Sequence, residues 1–185
     1  HVSRIPKRSI WGRDRGVRLM YQDYAQHELT VAGRKGWVIC PAKEKEGRPY
    51  IWRTEFLGAF DYADREMLRR GWHLAYYQVS DMYSAPEAVG LMRGFQERIE
   101  QAFGLGKRPI LFGFSRGGLY AVNYAAAYPD SVGGLYLDAP VLDIFSWPGG
   151  FGTGSGAEKE WEKCKGYYHI TDKDRGFFHQ NPLDK

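Results

Sequence analysis

The stretch Pro109–Tyr120, PILFGFSRGGLY, decides how this chain is read. Ile110, Leu111 and Phe112 form an apolar strand, and Arg116 to Tyr128 has helical composition, rich in Ala and Tyr. Between them stands Gly113-Phe114-Ser115-Arg116-Gly117, a G-x-S-x-G pattern. On a sharp strand-to-helix turn, the positions two before and two after the serine must be small. Gly113, Gly117 and Gly118 meet that need. Such a turn lifts the Ser115 hydroxyl above the sheet at a helix N-terminus. There the Arg116 backbone N–H can face a developing oxyanion. A bare G-x-S-x-G is common by chance, and an incidental serine in a plain turn is the bland alternative. The strand before and the helix after favour the nucleophile.

Working outward, strand and helix alternate from Tyr50 to Pro140. YIW is a short strand, and Asp61 to Arg70 is a helix with Ala63, Met67 and Leu68 at core spacing. Gly71 ends it. WHLAYYQV over residues 72–79 is strand-like. Ser84-Ala85-Pro86-Glu87 matches an S-x-x-E capping box. The helix after it carries Val89, Met92, Phe95, Ile99 and Phe103 at steps of three and four. PILFGF is expected as a buried strand and VGGLYLDAP, residues 132–140, as the next strand. This order predicts an α/β fold with a doubly wound, mostly parallel sheet. Ahead of it, Glu28–Val31 and Gly36–Pro41 flank Ala32-Gly33-Arg34 and read as an antiparallel hairpin. Residues 1–20 read as a basic arm and 21–185 as a single domain, with 141–185 a lid-like or inserted segment.

At 185 residues, 43% hydrophobic and 26% charged, the composition is that of one globular domain. No apolar run is long enough to cross a membrane. A net charge of +4 is a weak bias. The basic cluster Arg4, Lys7, Arg8, Arg13, Arg15 and Arg18 reads as a solvated arm, so no nucleic-acid partner is expected. Cys40 and Cys164 lack metal-ligand spacing and the five histidines form no zinc pattern, so neither metal nor organic cofactor is expected. Whether the two cysteines pair is open. HVSRIPKRSI lacks a signal peptide's apolar stretch. The compartment is left open, with a secreted or periplasmic one preferred.

IWRTEF (51–56), GWHLAYYQVSDMY (71–83), GFSRGGLYAVNYAA (113–126) and LDAPVLDIFSWPGG (137–150) carry a family resemblance. From Glu28 to Pro140 the chain resembles an α/β-hydrolase. More narrowly, it is similar to bacterial prolyl-oligopeptidase-like and carbohydrate-esterase-type hydrolases. The resemblance implies Ser115 as nucleophile and hydrolysis of a carboxylic ester, such as a carbohydrate ester, through an acyl-enzyme. It implies a second oxyanion donor after the third strand, the N–H of Thr54 or an adjacent residue. Arg53 either forks onto a substrate carboxylate or pairs with Glu55 or Asp81. The Arg116 side chain resembles the arginine that follows the nucleophile in glucuronoyl esterases. Trp147, on the loop after the sixth strand, is a candidate cleft residue. Trp52, Tyr76, Tyr77 and Tyr83 read as pocket or core. A prolyl-oligopeptidase-type peptidase and a non-catalytic hydrolase-fold module are the rivals.

In this family the triad acid and histidine follow the serine along the chain. Two further βα units, on the order of 60 residues, are needed to complete the sheet. The expectation is a C-terminally truncated chain with its histidine beyond Lys185. Asp138, at the end of the sixth strand, is a candidate acid, with Asp143 behind it. His169 and His179 are weaker candidates for the base, and His73 reads as core. A sheet without its last strands exposes an edge, which a second chain or segment would cover.

Overall fold

Val31 and Arg34 face each other across a two-residue turn. Ala32 and Gly33 both take left-handed backbone, φ 49° and 75°, which suits the twist of a tight hairpin. The computed structural model describes residues 21–185, so the basic arm lies outside the described residues. The hairpin strands are β1 (Ala25–Val31) and β2 (Arg34–Cys40). Then follow β3 (Tyr50–Arg53), α1 (Tyr62–Arg69), β4 (His73–Tyr77) and α2 (Pro86–Phe103). β5 (Ile110–Phe114), α3 (Gly117–Ala127), β6 (Gly134–Asp138) and α4 (Glu158–Tyr168) complete the order. The sheet runs β1-β2-β4-β3-β5-β6. β1, β2 and β4 pair antiparallel, and β4, β3, β5 and β6 are parallel.

Alternation sorts side chains onto two faces. Val38, Trp52, Ala75, Tyr77 and Leu111 meet α2, α3 and α4 in the larger core. Trp37, Ile39, Ile51, Leu74 and Tyr76 meet Leu68 of α1 and Tyr21 in the smaller one. Phe95 stacks on Tyr77 at 4.6 Å and lies where a Gly36 side chain would be. Trp161, Cys164 and Tyr168 of α4 join the larger core, so the segment after β6 packs onto the domain.

Three local expectations are corrected. The capping box does not form: Ser84 is buried, and its hydroxyl donates to the Leu119 carbonyl at 3.0 Å. Ala85 is the N-cap of α2, with Pro86 in the first turn. On α1, Leu68 is core, but Ala63 and Met67 are only half-buried, and the unexpected buried residue is Asp64. β5 is not a fully buried strand: Ile110, Phe112 and Phe114 are half-exposed, because α1 covers the β2–β4–β3 side of its face. The edge follows expectation: β6 forms and stays open, with Leu135, Tyr136 and Leu137 between 36% and 53% exposed.

Candidate active site

Ser115 has φ 52°, a backbone that costs a serine about 1–3 kcal/mol and persists only when its surroundings enforce it. They do so from both sides. The Ser115 N–H donates to the Asp138 carbonyl at 3.0 Å, and the Ser115 carbonyl accepts from Val141 at 2.8 Å and Gly118 at 3.0 Å. The glycines are needed for space. A Cβ at Gly117 would lie 2.8 Å from Thr54 Oγ1, and one at Gly118 would lie 2.5 Å from Pro140 Cβ. Among the described residues the Arg116 N–H, at the start of α3, has no acceptor.

The loop after β3 lies against this turn. Thr54 cannot supply the second oxyanion amide, since its N–H continues the ladder to the Phe112 carbonyl at 3.1 Å. Its hydroxyl instead donates to the Gly117 carbonyl at 2.8 Å, tying β3 to the start of α3. The neighbouring Glu55 N–H has no acceptor among the described residues and lies 3.6 Å from the Cβ position of Gly117. Arg53 is not a substrate fork. It is 4% exposed, pairs with Asp64 at 2.5 Å and donates to the Ala59 and Glu55 carbonyls. Neither expected carboxylate pairs with it: Asp81 takes Arg34, and the Glu55 carboxylate faces Arg116. Burial raises the Asp64 carboxyl above its ordinary range, with Arg53 opposing.

The Arg116 guanidinium sits beside two aromatic rings, 5.7 Å from the Phe56 centroid and 5.9 Å from that of Trp147. Trp147 is half-buried and its ring is 6.3 Å from Tyr83, so the loop after β6 does reach the neighbourhood of the elbow. Trp52, Tyr76, Tyr77 and Tyr83 are all core, each at most 3% exposed.

Asp138 ends β6 with its side chain exposed. It lines an open depression of about 320 Å³ with Arg53, Phe60, Phe112, Phe114 and Tyr136. Among the described residues, no histidine hydrogen-bonds Ser115 or Asp138. His169 and His179 are exposed, and His73 is buried in β4, as read from the sequence. Asp143 is bound to Asn181 and the Phe145 N–H, which gives it a structural role. Cys40 and Cys164 are unpaired. Among the described residues no group of three acidic, His or Cys side chains is placed to hold a metal, and no helix is long and apolar enough to cross a membrane.

Residues 72–159 match a family model described as the alpha/beta hydrolase fold. The chain has the α/β-hydrolase fold. An acylaminoacyl peptidase in complex with Z-Gly-Gly-Phe-chloromethyl ketone is 16% identical with a TM-score of 0.59, over 87% of this chain and 29% of that one. A prolyl endopeptidase is 14% identical with a TM-score of 0.57, over 78% and 27%. Acetyl xylan esterase from Aspergillus awamori is 12% identical with a TM-score of 0.52, over 63% and 52%. No curated protein sequence matches the chain. The α/β-hydrolase-fold chain thus spans less than two thirds of each of these structures. At such identities the likeness carries the fold. Esterases and peptidases share that fold.

Sequence reading missed the buried carboxylates of Glu55 and Asp64 as partners of Arg116 and Arg53. Both are charged residues that are 2% exposed or less, and each faces an arginine. A signal for Glu55 was available: it adjoins the loop expected to supply an oxyanion donor. Asp64 looked like a first-turn helix residue and carried no signal.

Proposed function

We propose that this protein hydrolyses a carboxylic ester through a Ser115 acyl-enzyme. The observation that supports it is the Ser115 backbone, held at φ 52° between β5 and α3 next to an unspent Arg116 N–H. Oγ attacks the ester carbonyl and its proton passes to a base. The carbonyl oxygen, now negative, takes hydrogen bonds from the Arg116 and Glu55 N–H groups. The carbonyl then re-forms, the bond to the alcohol oxygen breaks and the alcohol leaves with the proton. Water repeats the cycle and releases the acid.

In this reading the base is a histidine on further polypeptide, a continuation or a second chain. The same polypeptide covers Leu135, Tyr136 and Leu137 of β6, where an open edge invites pairing. Trp147 beside Arg116 gives the cleft an aromatic wall suited to a sugar or aryl ring. A small carbohydrate ester is therefore the substrate class favoured.

The test is release of p-nitrophenol from p-nitrophenyl acetate by the native protein, with a peptide p-nitroanilide alongside. Turnover of the ester alone, lowered at least about a thousandfold by Ser115→Ala, is expected. Equal hydrolysis of the anilide would make it a peptidase. An ester rate untouched by Ser115→Ala would end the nucleophile assignment.

A further inference from the structure

Three loops of the sheet's carboxyl edge meet in one buried polar knot. Glu55, from the loop after β3, is 2% exposed. Its Oε2 accepts from the Ser80 hydroxyl at 2.9 Å, in the loop after β4. Its Oε1 lies 3.3 Å from Arg116 Nε, in the loop after β5. Arg116 Nη2 returns to the Ser80 carbonyl at 3.4 Å. Glu55 Oε1 and Arg116 Nε are both buried, and neither has a hydrogen-bond partner among the described residues. Each is therefore the other's compensation, by charge more than by an aligned hydrogen bond. Burial raises the Glu55 carboxyl, and Arg116 opposes that rise.

An ordinary structural ion pair could join any two loops. This one joins the two residues whose backbone N–H groups face no acceptor beside Ser115. The other ties between these loops do not join the two residues directly: the Thr54 hydroxyl ties the β3 loop to Gly117, one residue further on, and Phe56 packs on Phe114. We infer that Glu55 is a positioning residue, whose carboxylate, through Arg116, sets the spacing of the two oxyanion donors. This rests on the Ser115 hydrolase reading, and the side chain of Arg116 is thereby turned inward as a strut.

Glu55→Gln keeps the volume and the Ser80 hydrogen bond and removes the charge. In the native protein, kcat for p-nitrophenyl acetate is expected to fall about 10- to 100-fold, less than the loss of a whole oxyanion donor. KM should stay within about twofold and thermal unfolding should stay cooperative. The Glu55→Gln/Arg116→Gln double variant should lose no more than the worse single, as two residues acting as one unit do. An unchanged kcat with only a lowered Tm, or losses that multiply, would overturn the inference. Amide NMR gives an answer that does not depend on turnover or on the double variant. The backbone signals of Ser115 and Arg116 should move in Glu55→Gln while those of α1 stay. A still Arg116 amide would equally overturn it. Failure of the parent reading looks different: there the ester rate survives Ser115→Ala, whatever Glu55 does.

Discussion

Every residue of β3 and β4 is buried, whereas β6 is open from Leu135 to Asp138. Ser115 stands on the boundary. Its elbow leans on the covered half through Thr54, Glu55 and Ser80, and on the open half through the Asp138 carbonyl and Val141. The difference separates two parts of the chemistry. The Glu55 and Arg116 loops, which carry the oxyanion donors of the proposed reading, are tied to the covered half, whereas the Ser115 backbone is held from both sides. The proposed reading puts the base on the open side, where the described residues bring no histidine to the serine. In general, binding and oxyanion donors act independently of the triad, so the proposed reading lets the two halves be set by different interactions.

Substitutions can break or sharpen that contrast. The largest effect is expected from Phe95→Ala, which empties the space between Trp52, Tyr77 and Gly36. It should cost about 3–5 kcal/mol in urea unfolding. A change below about 1 kcal/mol would mean that the covered half is not the stable half.

Close behind comes Arg53→Leu, which leaves Asp64 buried without its cation. A loss of about 3–5 kcal/mol is expected near neutral pH. Arg53 is what holds the Asp64 carboxyl down against burial, so its removal lifts that group further. The folded form of the variant then favours the protonated acid. Its penalty should shrink as pH falls through the raised Asp64 range, and a pH-independent penalty would contradict the assignment.

Gly118→Ala is next. Its methyl would press on Pro140 Cβ at 2.5 Å and the Val141 carbonyl at 2.9 Å. About 1–3 kcal/mol of destabilisation is expected, together with a loss of ester turnover out of proportion to it. Turnover that simply follows the folded fraction would show that the elbow tolerates the shift. On the open half, Tyr136→Ser should change stability by less than about 0.5 kcal/mol, since the ring is 53% exposed. A large loss would show that β6 is better covered than it looks.

The smallest effect is chemical. Burial pushes the Cys164 thiol up to about 12 and the Cys40 thiol to about 11. At pH 8 a thiol at about 11 is roughly one part in a thousand thiolate. Iodoacetamide should therefore alkylate neither at an appreciable rate until the protein is unfolded.

Features set by neighbouring residues were legible in the sequence: the strand-to-helix turn at Ser115, the Ala32-Gly33 hairpin, the α2 stripe and the Gly71 stop. Each depends on spacing within one turn or one element. Features set by distant partners were not. Ser84 looks like a cap until Leu119 takes its hydroxyl. Thr54 looks like an oxyanion donor until the β3–β5 ladder runs one residue past β3. Arg53 looks free for substrate until the fold brings Asp64 beneath it. The openness of β5 and β6 was anticipated only in part, because a strand's pattern tells which faces are apolar and not what covers them.

The most direct measurement is the intact mass of the native protein before and after a fluorophosphonate probe, with the adduct mapped to its residue. A single adduct on Ser115, absent in Ser115→Ala and present in a heat-stable fold, is the result expected. No adduct, or one carried by another residue, would contradict the nucleophile on which the account stands.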